Sequence, residues 1–183
     1  MGGHFLGAIV FESKPPVSGD VTRHSVIDGQ QRTTTLQLLL DAAQSVFADL
    51  GHGNQAEALE ELTLNGAKRF RGKPEQFKLW PSRTDRRAFA AAMDSLDTST
   101  FDEHRVVEAH LFFQKEIRTW ITGTDEDSEP IGTEEYRVRA LTDVLQSRLY
   151  VVAINLSGHD DDQLIFETLN DRGTPLLKAI PFS

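Results

Sequence analysis

Apolar residues in this chain fall into two short β-type stretches, a run at helical spacing, further helical stripes, and a last β-type stretch near position 150. Phe5 to Glu12, rich in β-branched and aromatic residues, predicts a strand. Lys14 to Thr22 holds two prolines, a serine and a glycine, so it is a loop. Arg23 to Asp28 predicts a second strand, able to pair with the first as a hairpin. From Thr33 to Leu50, Leu36, Leu39, Leu40, Ala43, Val46, Phe47 and Leu50 recur at the helical period, and Gly51 and Gly53 end that helix.

The middle of the chain reads as mainly helical. Gln55 to Leu64 is a short acidic helix, and Gln76 to Trp80 is a candidate strand closed by Pro81. Thr84 caps a helix to Met93, with Phe89 and Met93 on one face. Val106, His110, Phe113, Ile117 and Trp120 stripe a longer helix over 102–121, and Glu134 to Gln146 is another. Arg148 to Leu156 predicts a buried strand. Asp160 to Asp162 would cap a further helix that ends at Gly173, and Thr174-Pro175 opens one more. The fold class is therefore α+β: a small mixed sheet from 1–50 and 148–183, with a mainly helical insertion over 51–147, in one domain.

The densest chemistry lies where the second strand meets the long helix, at Val26-Ile27-Asp28-Gly29-Gln30-Gln31-Arg32. Free N–H groups and the positive end of the helix dipole point at such a junction, which suits an anion, usually phosphate. Asp28 could hold Mg²⁺, orient a water, or merely cap the helix. Gly29 allows close backbone approach, or supplies an unusual φ. Gln30 and Gln31 suit a phosphate or a base, or face solvent. Arg32 offers a fixed fork of donors that matches phosphate oxygens, with a structural ion pair as the competing account. Asn170-Asp171-Arg172-Gly173 forms a second polar cluster, expected to share a cleft with the first. The alternative is that Asn170 and Gly173 only end their helix while Arg172 complements its dipole.

Composition narrows the partners. With 183 residues, 39% hydrophobic and 26% charged, the chain can bury a real core. The net charge of −9 argues against a general DNA-coating surface. Lys68, Arg69, Arg71 and Lys73, and Arg83, Arg86 and Arg87, form two basic groupings that read most simply as a solvated loop and a helix face. There is no cysteine, which excludes disulfides and thiolate chemistry and fits a cytoplasmic protein. No stretch resembles a signal peptide or is long enough to span a membrane. The six histidines show no metal-binding spacing, and neither a P-loop nor a Ser/His/Asp arrangement is present.

The segments FLGAIV (5–10), VIDGQQR-TTL (26–36), KLWPSRTDR (78–86) and FETLNDRGTPL (166–176) occur in an order that resembles a known family. It is the ParB/sulfiredoxin-like N-terminal domain of GmrSD-type restriction endonucleases, and the resemblance covers nearly the whole chain. It implies binding and Mg²⁺-dependent hydrolysis of nucleoside triphosphates in bacterial defence against phage. A His-Asn-His nuclease domain or subunit would then cut modified DNA. By that resemblance Asp28, Gln30, Gln31 and Arg32 are catalytic and Asp28 holds the metal. Gly29, Arg32, Thr34, Asn170, Arg172 and Gly173 bind the nucleotide. DNA nicking at the same site, a regulatory module without turnover, and an inert remnant are the rivals. Thr33 stands where the family usually has leucine. The chain begins at the first strand that matches and stops inside a helix the family continues, so a fragment is expected, frayed at its last helix.

Overall fold

In a computed structural model, which describes residues 2–15, 21–66, 68–94, 98–124 and 131–156, the first two apolar segments form strands β1 (His4–Ser13) and β2 (His24–Asp28). They pair antiparallel, with Ser13 opposite His24 and Val10 opposite Asp28. Strand β3 (Leu149–Leu156) lies parallel to β1 on its other side, giving a mixed sheet in the order β2-β1-β3. A parallel pair needs a long crossover, and here the helical middle of the chain supplies it.

Two irregularities break the sheet. On β1, Phe5 faces Tyr150 but Ala8 faces Val152, so β1 carries one extra residue around Leu6-Gly7. On β2, Val10 faces Asp28 but Phe11 faces Val26, so Ile27 is the extra residue. Bulges of this kind twist a strand and re-aim its groups.

Five helices occur among the described residues: α1 (Gln30–Asp49), α2 (Gly53–Thr63), α3 (Arg86–Met93), α4 (Arg105–Thr122) and α5 (Glu134–Ser147). Helix α1 begins three residues earlier than its apolar period indicated. It ends as expected: Gly51 has φ 85°, its N–H donates to the Ala48 carbonyl at 3.1 Å, and the His52 N–H donates to Phe47 at 2.8 Å. That is a Schellman ending. The α4 and α5 starts are capped by His104 Nδ1, accepting from the Val106 N–H, and Thr133 Oγ1, accepting from the Tyr136 N–H.

Three expectations are corrected. Gln76 to Trp80 is not a strand; Pro74–Gln76 is a 3-10 turn, followed by a single bridge between Leu64 and Phe77. Aromatic packing shapes that segment, with Trp80 Nε1 donating to the Pro74 carbonyl at 2.5 Å and the Phe77 and Trp80 rings edge-to-face at 5.1 Å. Thr84 does not cap α3, because 83–85 form a turn in which Ser82 Oγ bonds Asp85 Oδ2 at 2.7 Å. Strand β3 is not buried: Tyr150, Val151 and Val152 are 54%, 40% and 50% exposed. Among the described residues it is an edge strand; the helical cores take its Leu149, and Leu156 at its end is also buried. The expectations for 160–183, including the cluster at Asn170, lie outside the described residues.

Helix α1 serves two apolar clusters. Ala42, Ala43, Val46 and Phe47 pack with Leu59 of α2, Ile117 and Ile121 of α4, and Val138 and Leu145 of α5. Leu38, one turn earlier, packs with Phe77, Phe89 and Met93 and with Val106 and Val107. Phe113 touches both clusters. Burial on several sides explains why Leu38, Asp41 and Ala42 fell outside a single stripe. In α4, Ile121 takes the buried place expected of Trp120, which is 43% exposed.

Among the described residues, the charged groups inside this bundle are satisfied, while the Gln37 Oε1 is buried without a partner. Asp41, 5% exposed, meets His110, 4% exposed, with Oδ2 and Nε2 2.8 Å apart. Arg137 is also buried; its Nε donates to the Ile121 carbonyl at 2.8 Å and its Nη1 to Gly132 at 2.7 Å. A cation there complements the negative end of α4.

The Asp41–His110 pair generates a pH dependence. Burial raises the Asp41 carboxyl above its ordinary value, and the His110 hydrogen bond and charge offset that only in part. The folded chain thus holds this proton more tightly than the unfolded chain. Its contribution to stability is full below about pH 3.9 and is lost as the pH rises through the raised value. Asp41→Asn, which cannot ionise, should gain stability relative to the wild type across that window in urea denaturation. His110→Leu leaves Asp41 buried without its partner and should cost about 1–3 kcal/mol. An unchanged urea midpoint would show that the pair contributes nothing.

Candidate functional site

The bulge at Ile27 brings β2 to an end at Asp28, and Gly29 makes the turn into α1. Gly29 has φ 90° and is the N-cap, with no side-chain cap bond, so Asp28 is not the helix cap. The Asp28 carboxylate is exposed and has no hydrogen-bond or ion-pair partner among the described residues. The Gly29 carbonyl accepts the first helical bond, from the Thr33 N–H at 3.0 Å. The N–H groups of Gln30, Gln31 and Arg32 have no partner among the described residues. Three amides at a helix start form an electropositive concavity without any side chain.

Arg32 lies in a slot made by two glycines. A β-carbon at Gly7 would come 3.0 Å from the Arg32 Cζ, and one at Gly29 would come 3.2 Å from Arg32 Nη1 and from the Ala8 carbonyl oxygen. Gly7 has φ 107° and lies at the β1 bulge, which leaves the Ala8 carbonyl to accept a bond from Arg32 Nη1. Arg32 makes no ion pair among the described residues; its bond there is to the Ala8 backbone carbonyl. One of its five N–H groups is committed to Ala8. The guanidinium is thereby fixed in place and keeps donors for another acceptor.

The other site residues differ in commitment. Thr33 Oγ1 turns back to the carbonyls of Gly29 at 3.1 Å and Gln30 at 2.9 Å. Thr34 is half-buried and Gln31 exposed, neither with a side-chain bond among the described residues. Gln30 donates to the Val26 carbonyl at 3.5 Å. Gln30 and Arg32 also part company: two helical positions are about 200° around the axis. Arg32 faces β1, whereas Gln30 lines a cleft of about 730 Å³ on the other side. Across that cleft stand Trp80, Pro81, Arg83 and Arg86.

Among the described residues no three His, Asp or Glu side chains gather to hold a metal. A lone exposed carboxylate beside free amides fits Mg²⁺ that arrives on phosphate oxygens, the usual way Mg²⁺ is held. Asn170, Arg172 and Gly173 lie outside the described residues.

Sequence reading missed Gly7 and Ala8 as parts of the site. The signal was a glycine inside a strand pattern, which marks a bulge or a close backbone approach. It also missed the Trp80 wall, having taken that segment for a strand.

A small mixed sheet that feeds a glycine-capped helix, with an arginine seated against the neighbouring strand, defines an α+β domain with a polar site at a strand–helix junction. The chain belongs to a family within that class. Residues 1–179 match the GmrSD restriction endonuclease, N-terminal domain, which makes this a restriction-system module. No curated protein matches the chain. No helix among the described residues is long and apolar enough to cross a membrane.

The slot is open to a direct test. Gly7→Ala should cost about 1–3 kcal/mol in urea denaturation, because φ 107° is strained for any side chain and the guanidinium must shift. Gly53→Ala serves as the control, since an added β-carbon meets nothing within 4 Å. It should be neutral or gain up to about 1 kcal/mol. Equal midpoints for the two variants would refute the slot.

Proposed function

We propose that the domain binds a nucleoside triphosphate at the start of α1 and hydrolyses it with Mg²⁺, in a modification-dependent restriction system that acts through a separate nuclease domain. The observation that carries this reading is the junction itself: an Asp28 carboxylate and three amides without partners among the described residues, and a fixed Arg32 guanidinium, all within five consecutive residues. Phosphoryl transfer asks mainly for positioning and charge neutralisation. The amides and Arg32 supply preorganised donors for phosphate oxygens, and they need little reorganisation when charge develops. Gln31, exposed in the same turn, adds a neutral hydrogen-bonding group, and Gln30 adds one on the cleft side. When bound, Mg²⁺ would neutralise phosphate charge, with Asp28 as a carboxylate to hold it. Asp28 alternatively orients the attacking water. Membership of the restriction family supports the biological setting.

Two substitutions separate binding from turnover. Arg32→Lys keeps a positive charge but loses the fork that reaches both Ala8 and a phosphate. Losing a charge-assisted bond costs on the order of 1.5–3 kcal/mol, so triphosphate affinity should fall about ten- to a hundredfold by titration calorimetry. Asp28→Asn should bind as the wild type does, yet release phosphate far more slowly in the presence of Mg²⁺. Circular dichroism checks the fold, since Arg32 also ties α1 to β1. Wild-type affinity in Arg32→Lys would place the phosphates elsewhere. A wild type that binds no triphosphate would end the NTPase reading.

A further inference from the structure

We infer that the cleft between β2 and the 78–86 segment is the nucleobase subsite, which takes the base and sugar of a nucleotide whose phosphates lie at the start of α1. This rests on the NTP reading above and adds where the rest of the ligand goes. Gln30 belongs to both places, as the first residue of α1 and as part of the cleft wall. A cleft of about 730 Å³ is within the usual range for small-molecule sites.

Its chemistry suits a flat ring joined to an anion. The Trp80 indole is pinned in position by its bond to the Pro74 carbonyl at 2.5 Å and by the Phe77 edge at 5.1 Å. A fixed indole is a stacking surface for any base, since every base has a π-face. Around it, in a chain of net charge −9, the lysine, arginine and acidic residues of the lining among the described residues are Arg23, Lys78, Arg83 and Arg86 against Glu75. Glu75 is paired with Arg23 at 2.8 Å, and the Lys78 ammonium donates to the Glu61 carbonyl. Arg86 lies over one face of the indole, its Cζ 5.8 Å from the ring centroid, with one weak bond to the Pro81 carbonyl at 3.4 Å, which leaves stacking to the rest of the ring. Arg83 has no partner among the described residues. The two arginines therefore remain available to a ligand, and Gln30 offers an amide for base edges.

The chain has two tryptophans, so Trp120→Phe leaves Trp80 as the sole indole reporter. Nucleoside triphosphates should quench its fluorescence saturably, while inorganic tripolyphosphate should bind by calorimetry without quenching. Trp80→Leu should weaken triphosphate binding about five- to a hundredfold and leave tripolyphosphate affinity unchanged, with Trp80→Phe largely restoring it. Should Trp80→Leu fail to fold, Arg83→Ser on the exposed rim should weaken triphosphate more than tripolyphosphate. Triphosphate that binds without quenching, and equally well to the Trp80 and Arg83 variants, overturns the subsite but leaves the NTP reading intact. Absence of binding by both phosphate ligands overturns both. Quenching by a short single-stranded oligodeoxynucleotide but not by triphosphates also overturns it and assigns the cleft to DNA.

Discussion

Helix α1 must be buried on several sides at once, and the rest of the described fold is arranged around that requirement. Phe47, Val46 and Ala43 are enclosed by α2, α4 and α5, while Leu38 one turn earlier belongs to the cluster of α3 and α4. Burying a side chain such as Phe47 is worth roughly 1.5–3 kcal/mol, so a helix that commits this many groups has little freedom to rotate or slide. Its first turn is then held at a defined place and angle. Of the sheet, by contrast, only Leu149 packs against either cluster among the described residues.

What joins the two layers is largely polar and local. Arg32 reaches from α1 to the Ala8 carbonyl of β1, through a gap that exists because Gly7 and Gly29 lack side chains. Two bulges, one on each side of β1, shape that gap. The same junction leaves Asp28 and three amides without partners among the described residues, although the fold satisfies Asp41, His110 and Arg137 in its interior. Pairing of these interior charges beside an open cluster at one surface junction supports the ligand site proposed there.

Charge follows the same division. The chain is strongly acidic overall, yet the cleft beside Gln30 gathers cations around an indole. Local concentration against the global sign would let an acidic domain attract a small anion, as proposed.

The sequence by itself determined most of the described elements and where the candidate site would lie. Apolar periodicity placed α1, α2, α4 and α5 within a few residues, and β-branched runs placed β1, β2 and β3. The cluster from Asp28 to Arg32 marked the junction because its residue types are those a strand–helix turn and a phosphate both favour. Tertiary structure decided what those residues face. Whether Arg32 found a carboxylate or a carbonyl depended on a bulge in another strand, which no local pattern encodes. Gln30 and Arg32 looked like one cradle in sequence, but helical geometry sends them to opposite sides. Asp41 lay off the predicted stripe of α1, and only the approach of His110 from α4 accounts for its burial. The segment at Trp80 imitated a strand because aromatic residues suit both a sheet and a packed turn; ring packing against Phe77 and Phe89 settled it. Periodicity reports which face of an element is apolar, whereas partners distant in the chain decide which polar groups meet.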